Sequence, residues 1–164
     1  MFQSANFAAQ RHGSGCERAE LGTTVNEACV EITARPDIVT ARQRGRTLAA
    51  KLGFSGSEAT LIAAAISEIG RNILEYAHRG VMTFGSIHEA ERRGIQIVAT
   101  DEGPGIADVR QVMQLGCTRG DGQRAGLPGV RWLMDEFDIV SKPGEGTTVT
   151  MKKWVVPPTR RAGA

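Results

Sequence analysis

Asp101-Glu102-Gly103-Pro104-Gly105-Ile106 follows an apolar run at residues 94–100, and the architecture is read outward from it. Along an extended segment successive side chains alternate between faces, so Ile95, Ile97, Ala99 and Asp101 share one face. The first three suit a core. The same alternation carries a carboxylate to the rim of that apolar surface, just before two glycines bend the chain. An unpaired buried charge is costly, so this carboxylate needs a donor from the protein or from a ligand. The amino group of a purine entering the apolar face would serve.

Two other readings of the stretch compete. In one, Asp101 caps a strand and Gly-Pro-Gly makes an ordinary turn. In the other, a strand runs into the dinucleotide fingerprint Gly-x-Gly-x-x-Gly. Gly103 and Gly105 fit that fingerprint, but its third glycine position holds Asp108, and Asp101 would repel an incoming pyrophosphate. A purine pocket accounts for the aspartate; the fingerprint does not.

Upstream, residues 1–27 are small and polar without periodicity and read as a mobile leader. Residues 29–33 form a first, edge strand. Pro36 opens a helix with Ile38, Ala41, Gly45, Leu48 and Leu52 at helical intervals, ending near Gly53. Arg42, Arg44 and Arg46 on it make a solvated face or a docking surface. A second helix is expected from Ser57, its cap, to Ala77, with Ile62, Ala65, Ile66, Ile69 and Ile73 as the buried stripe. Glu68 and Asn72 stand one turn apart along the edge of that stripe, and Glu75 continues the row. A polar flank making local i,i+4 contacts is the plainer account of them.

Residues 81–87 and 94–100 read as two strands joined by a hairpin loop at 88–93, and residues 108–115 as a short helix. Residues 116–126 hold four glycines and almost no apolar side chains, the composition of a flexible loop. Gly126-Leu127-Pro128-Gly129 then leads into a helical stretch at 130–136. Proline with flanking glycines suits a helix start that a phosphate can approach, or simply a mobile loop before a helix. No Lys-Ser/Thr follows, which excludes a Walker P-loop. Residues 137–141 and 147–154 close the fold as a hairpin around Lys142-Pro143-Gly144-Glu145-Gly146. Pro157-Pro158 ends ordered structure, leaving a basic tail.

With 164 residues the chain has room for one domain with a proper core. A net charge of +2, from 20 basic and 18 acidic residues, argues against a strong drive onto nucleic acid or anionic membrane. Cys16, Cys29 and Cys117, with His12, His78 and His88, show neither zinc spacing nor a disulfide framework. No apolar stretch is long enough to span a membrane and no signal-peptide core is present, so the cytoplasm is the expected location.

The order of these pieces is more specific than any one of them. A helix carrying Glu68-x-x-x-Asn72 precedes a strand ending in Asp101-x-Gly103-x-Gly105. A glycine-rich loop, the turn at 126–129 and Gly144-x-Gly146-Thr147 follow. This set resembles the N, G1 and G2 boxes of the GHKL (Bergerat-type) ATPases, the superfamily of gyrase, heat-shock protein 90, histidine kinases and MutL. Within it, residues 37–43, 67–73 and 125–137 are similar to the RsbT group of switch-protein serine/threonine kinases. The resemblance implies an α/β (α+β) two-layer sandwich, a mixed β-sheet with α-helices on one face and ATP bound between them. The kinase domain would cover 28–156, between the leader at 1–27 and the basic tail at 157–164.

It also implies roles. Asn72 would ligate Mg²⁺, and Glu68 would accept the proton of an attacking hydroxyl or orient it. Asp101 would take the adenine amino group with Thr147 nearby, Gly103 and Gly105 would pass under the base, and Ile106 belongs to the same binding set. Gly126, Leu127 and Gly129 would offer N–H groups to the phosphates under a lid at 116–125, where Arg119 and Arg124 replace the usual Ser and Gly. The implied substrate is a STAS-domain antagonist and the implied second partner a PP2C-type phosphatase. An anti-sigma factor gripping a sigma factor is the alternative. A detached histidine-kinase catalytic domain is a third reading, without room for a dimerisation helix bearing a phosphoacceptor histidine.

Overall fold

Alternating apolar residues build the sheet, and the helical stripe covers one face of it. The computed structural model describes residues 24–115 and 126–156; the expected lid and tail, and residues 1–23, lie outside them. The elements run β1 (Thr24–Ile32), α1 (Arg35–Leu52), α2 (Gly56–Asn72), a π-helical turn (Ile73–Ala77), β2 (Gly80–Glu89), β3 (Arg92–Asp101), α3 (Val109–Leu115), α4 (Leu127–Leu133), β4 (Glu136–Lys142) and β5 (Gly146–Trp154). The sheet order is β1-β2-β3-β5-β4, with β1 at an edge as expected. Met82, Phe84, Ile95, Ile97 and Met151 are fully buried on the covered face, in one core with Ile62, Ile66 and Ile69 of α2 and Ala41 and Leu48 of α1. This is the expected two-layer α/β sandwich. Every ladder is antiparallel, where a mixed sheet was implied. Hairpins join β2 to β3 and β4 to β5, and the excursion through α3 and α4 brings β4 in along the direction of β3, leaving room for β5 to pair antiparallel between them.

Local chemistry moves several boundaries. β1 begins at Thr24, inside the stretch read as leader, because residues 24–26 pair with β2 across a bulge. α2 is capped by Ser55 and not by Ser57. Three residues after Ser55 comes Glu58, which accepts from the Ser55 N–H at 2.8 Å while the Ser55 hydroxyl accepts from the Glu58 N–H at 3.3 Å. Three after Ser57 comes Thr60, which cannot complete that reciprocal pair. The loop expected at 88–93 is only a turn at Ala90 and Glu91, with Ala90 at φ +51°. His88 pairs with Arg93 and Glu89 with Arg92, and Glu89 bonds both Arg92 and Lys152, so these polar residues stay in the ladder. The last helix starts at Leu127 and stops at Leu133, short of the expected Glu136. The Asp135 N–H is taken by the Lys152 carbonyl at 3.0 Å, which draws the chain into β4. Cys29 is disulfide-bonded, where three cysteines suggested no such framework.

The two long helices start on carboxylates that accept several hydrogen bonds. Asp37 accepts from the Thr33 N–H, the Thr33 hydroxyl and the Ala34 N–H, which holds its carboxyl below the ordinary 3.8. The Ser55 hydroxyl and N–H hold Glu58 below its ordinary 4.5. Both groups therefore bind fewer protons folded than unfolded. Their contribution is complete above the ordinary values and is lost as pH falls through the lower folded ones. The thermal midpoint, followed by circular dichroism, is expected to fall on acidification from pH 5 toward pH 3, and less steeply in an Asp37→Asn/Glu58→Gln double variant.

Candidate functional site

The helix layer and the sheet separate around a cavity of about 610 Å³, within the range of small-molecule sites. Ile69, Ile73, Ala99, Ile106 and Val149 give it an apolar lining. Glu68 and Asn72 enter from α2, Asp101 and Thr147 from the paired ends of β3 and β5. The expected unbroken helix to Ala77 instead changes to a π-helical turn directly after Asn72, and His78 ends it at φ +65°. Such turns recur at functional sites. Here it places Glu75 and Tyr76 in the cavity lining.

Asp101 has the donor its position demands: the Gly103 N–H donates to Oδ1 at 2.9 Å. A Cβ on Gly103 would come within 2.6 Å of the Ala77 Cβ, so this glycine lets the loop close on the π-helical turn. Glu68 pairs with Arg71 through Oε1, and its Oε2 accepts from the Gly126 N–H at 3.4 Å. The carboxylate thus joins α2 to the start of α4.

The loop after β3 and the β4–β5 hairpin are locked together through backbone. The Gly144 N–H donates to the Pro104 carbonyl at 2.7 Å. Gly105, at φ +72°, lies where a Cβ would stand 1.9 Å from the Lys142 carbonyl oxygen, and a Cβ on Gly146 would stand 2.0 Å from that of Asp101. Ser141 fastens the same junction. It accepts from the Ile106 N–H at 2.8 Å, donates to the Gly146 carbonyl at 2.9 Å and lies 2.9 Å from Thr147 Oγ1.

Of the residues singled out from sequence, Glu68, Asn72, Asp101, Gly105, Ile106, Gly126, Leu127 and Thr147 line one cavity. Gly103 and Gly129 do not: the first packs behind Asp101, and the second is buried within α4. Arg119 and Arg124 lie outside the described residues. Ser141, Glu75 and Tyr76 were not marked as site residues. For Ser141 the signal was available, because Phe137, Ile139 and Ser141 alternate as Ile97, Ala99 and Asp101 do, two apolar residues and then a polar one on the same face.

Residues 32–153 match the histidine kinase-like ATPase domain. The chain belongs to that family. This histidine kinase-like ATPase is 45% identical over 130 residues to serine/threonine-protein kinase RsbT of Bacillus subtilis (strain 168), covering 79% of this chain and 98% of that protein. It is 33% identical over 113 residues to an anti-sigma F factor of Thermoanaerobacter sp. (strain X514), covering 65% and 78%. The anti-sigma F factor of Pasteuria penetrans is 35% identical over 111 residues, covering 63% and 73%.

The cavity suits the nucleotide that the family name implies. It joins an apolar lining to a carboxylate at one end, and among the described residues nothing lies within 4 Å of where a Gly126 Cβ would sit, so these residues leave that backbone approachable. Among the described residues no three His, Cys, Asp or Glu converge. A Mg²⁺ ion here would be held by the Asn72 amide oxygen together with phosphate oxygens and water, the coordination Mg²⁺ favours.

The interlock predicts unequal costs for two alanines. Gly144→Ala at the hairpin tip, φ +77°, meets no atom of the described residues within 4 Å and is expected to cost only the left-handed backbone term of about 1–2 kcal/mol. Gly105→Ala adds a clash with the Lys142 carbonyl and is expected to cost more in urea denaturation, with loss of nucleotide binding.

Proposed function

We propose that this chain is an ATP-dependent protein serine/threonine kinase of the partner-switching type. The observation that carries the reading is the placement of Glu68 and Asn72 on α2 across one cavity from Asp101 and Thr147 on the sheet. The 45% identity to a serine/threonine-protein kinase, over 98% of that protein, supports it. In this reading Asp101 accepts from the adenine amino group through Oδ2, since Oδ1 already serves Gly103. The Gly126 N–H that Glu68 now accepts from becomes a phosphate donor, and Glu68 turns to the hydroxyl of the protein substrate. A Mg²⁺ ion at Asn72 would supply charge neutralisation at the phosphates. The remaining contribution of the chain is positioning, which is most of what phosphoryl transfer needs.

The substrate in this proposal is a STAS-domain antagonist. Phosphorylating it frees the kinase, which then activates a PP2C-type phosphatase in stress signalling. The cytoplasm, where ATP is available, is the proposed setting. The similarity to anti-sigma F factors supports a second reading, a nucleotide-gated grip on a sigma factor. Pull-down with a sigma factor against a PP2C-type phosphatase separates the two. Acid-stable phosphate on the STAS partner after incubation with Mg²⁺ and ATP is the result expected of the kinase, since phosphohistidine would not survive acid.

Three variants test the roles. Asp101→Asn keeps the shape and removes the charge, and is expected to weaken ATP binding by about 1.5–3 kcal/mol in calorimetry. Unchanged affinity in the folded variant would remove Asp101 from the adenine site. Glu68→Ala is expected to keep ATP binding and lose about 10²–10⁴ in transfer rate, whereas Asn72→Ala is expected to weaken Mg²⁺-dependent binding itself. Transfer at the wild-type rate by Glu68→Ala would leave Glu68 a structural residue.

A further inference from the structure

Hydrogen-bond accounting at Ser141 decides which way its neighbour can bond. A serine hydroxyl has one proton and two lone pairs. The proton goes to the Gly146 carbonyl at 2.9 Å, a group that can only accept. One lone pair receives the Ile106 N–H at 2.8 Å, a group that can only donate. Thr147 Oγ1, 2.9 Å away, is left one option, to donate to the second lone pair. Its own proton is then committed, and Thr147 has only lone pairs for anything in the cavity it lines.

We propose that Ser141 is a positioning residue for base selection: it holds Thr147 as an acceptor, so that Thr147 and Asp101 together select a primary amino group over a carbonyl. The inference deepens the nucleotide-pocket reading above and rests on it. Asp101 and Thr147 are directly opposed on β3 and β5, on the face that carries Ala99 and Val149 into the core. Asp101 Oδ1 serves the Gly103 N–H, which leaves Oδ2 for a ligand. Two acceptors about 2.9 Å from one amino nitrogen, along N–H bonds about 120° apart, lie about 5 Å from each other. Directly opposed residues on paired strands have their Cβ atoms roughly 4.5–5.5 Å apart. That spacing places both side chains within reach of the same exocyclic group of a base. A carbonyl in its place sets lone pairs against lone pairs at both positions. Removing the Ser141 hydroxyl frees the Thr147 proton to rotate and donate to a carbonyl, and half of the discrimination goes.

The test compares ATP with ITP, whose base carries a carbonyl where adenine carries the amino group, by calorimetry on the full chain. Wild type is expected to prefer ATP. Ser141→Ala is expected to narrow the ATP-to-ITP affinity ratio by about 3- to 10-fold, the worth of one hydrogen bond, and Ser141→Thr to restore it. In a Thr147→Val background, Ser141→Ala is expected to leave the ratio where Thr147→Val alone sets it. A merely structural role weakens both nucleotides equally, so an unchanged ratio in a folded Ser141→Ala overturns the proposal. Should that variant not fold, Ser141→Cys, whose sulfur is a weak acceptor, carries the same expectation. A wild type that binds no ATP overturns the pocket reading and this inference with it. A wild type that binds ATP, with the ratio unmoved by Ser141 variants, overturns the inference alone.

Discussion

The site depends on a backbone contact too close for any side chain. Where the loop after β3 meets the β4–β5 hairpin, Gly105 faces the Lys142 carbonyl and Gly146 faces the Asp101 carbonyl, each at a separation that a Cβ would abolish. The Gly144 to Pro104 hydrogen bond and the three bonds of Ser141 hold the two segments at that separation. Asp101 and Thr147 keep their mutual geometry because their strands are paired and each is braced by a short contact, the Gly103 N–H on Asp101 and the Ser141 hydroxyl on Thr147. Flexible side chains contribute little to that frame. Such a rigid base is what a binding constellation needs.

The helix layer supplies the opposite wall by a different device. α2 is pinned at its start by the Ser55–Glu58 reciprocal cap and along its length by Ile62, Ile66 and Ile69, all buried. Its polar edge therefore cannot roll away from the cavity. The change to a π-helical turn after Asn72 then alters the angular position of Glu75 and Tyr76 and brings them to the cavity wall. Gly103, close against Ala77, couples that turn to the loop from the sheet. Both walls thus meet at one corner, behind Asp101.

Glu68 connects the walls to α4. Its carboxylate accepts from the Gly126 N–H and pairs with Arg71, so it is already ordered.

Much of this was legible without coordinates. The period-two run into Asp101, the period-3.6 stripe beside Glu68 and Asn72, and the glycines at 103, 105 and 146 are local patterns, and local sterics make them readable along the chain. What the chain alone did not decide was non-local. The start of β1 at Thr24 depends on a partner strand far along the sequence, and the place of polar Glu89 at the end of a ladder is supported by Lys152 from β5. The end of α4 depends on the Lys152 carbonyl. Gly129 turned out to be buried within its helix, outside the cavity lining, because α4 packs on α2. Ser141 carried a readable parity, but its role needed three partners contributed by two segments, Ile106 from one and Gly146 and Thr147 from the other. Periodicity reports which face a side chain is on; only tertiary structure decides what meets it there.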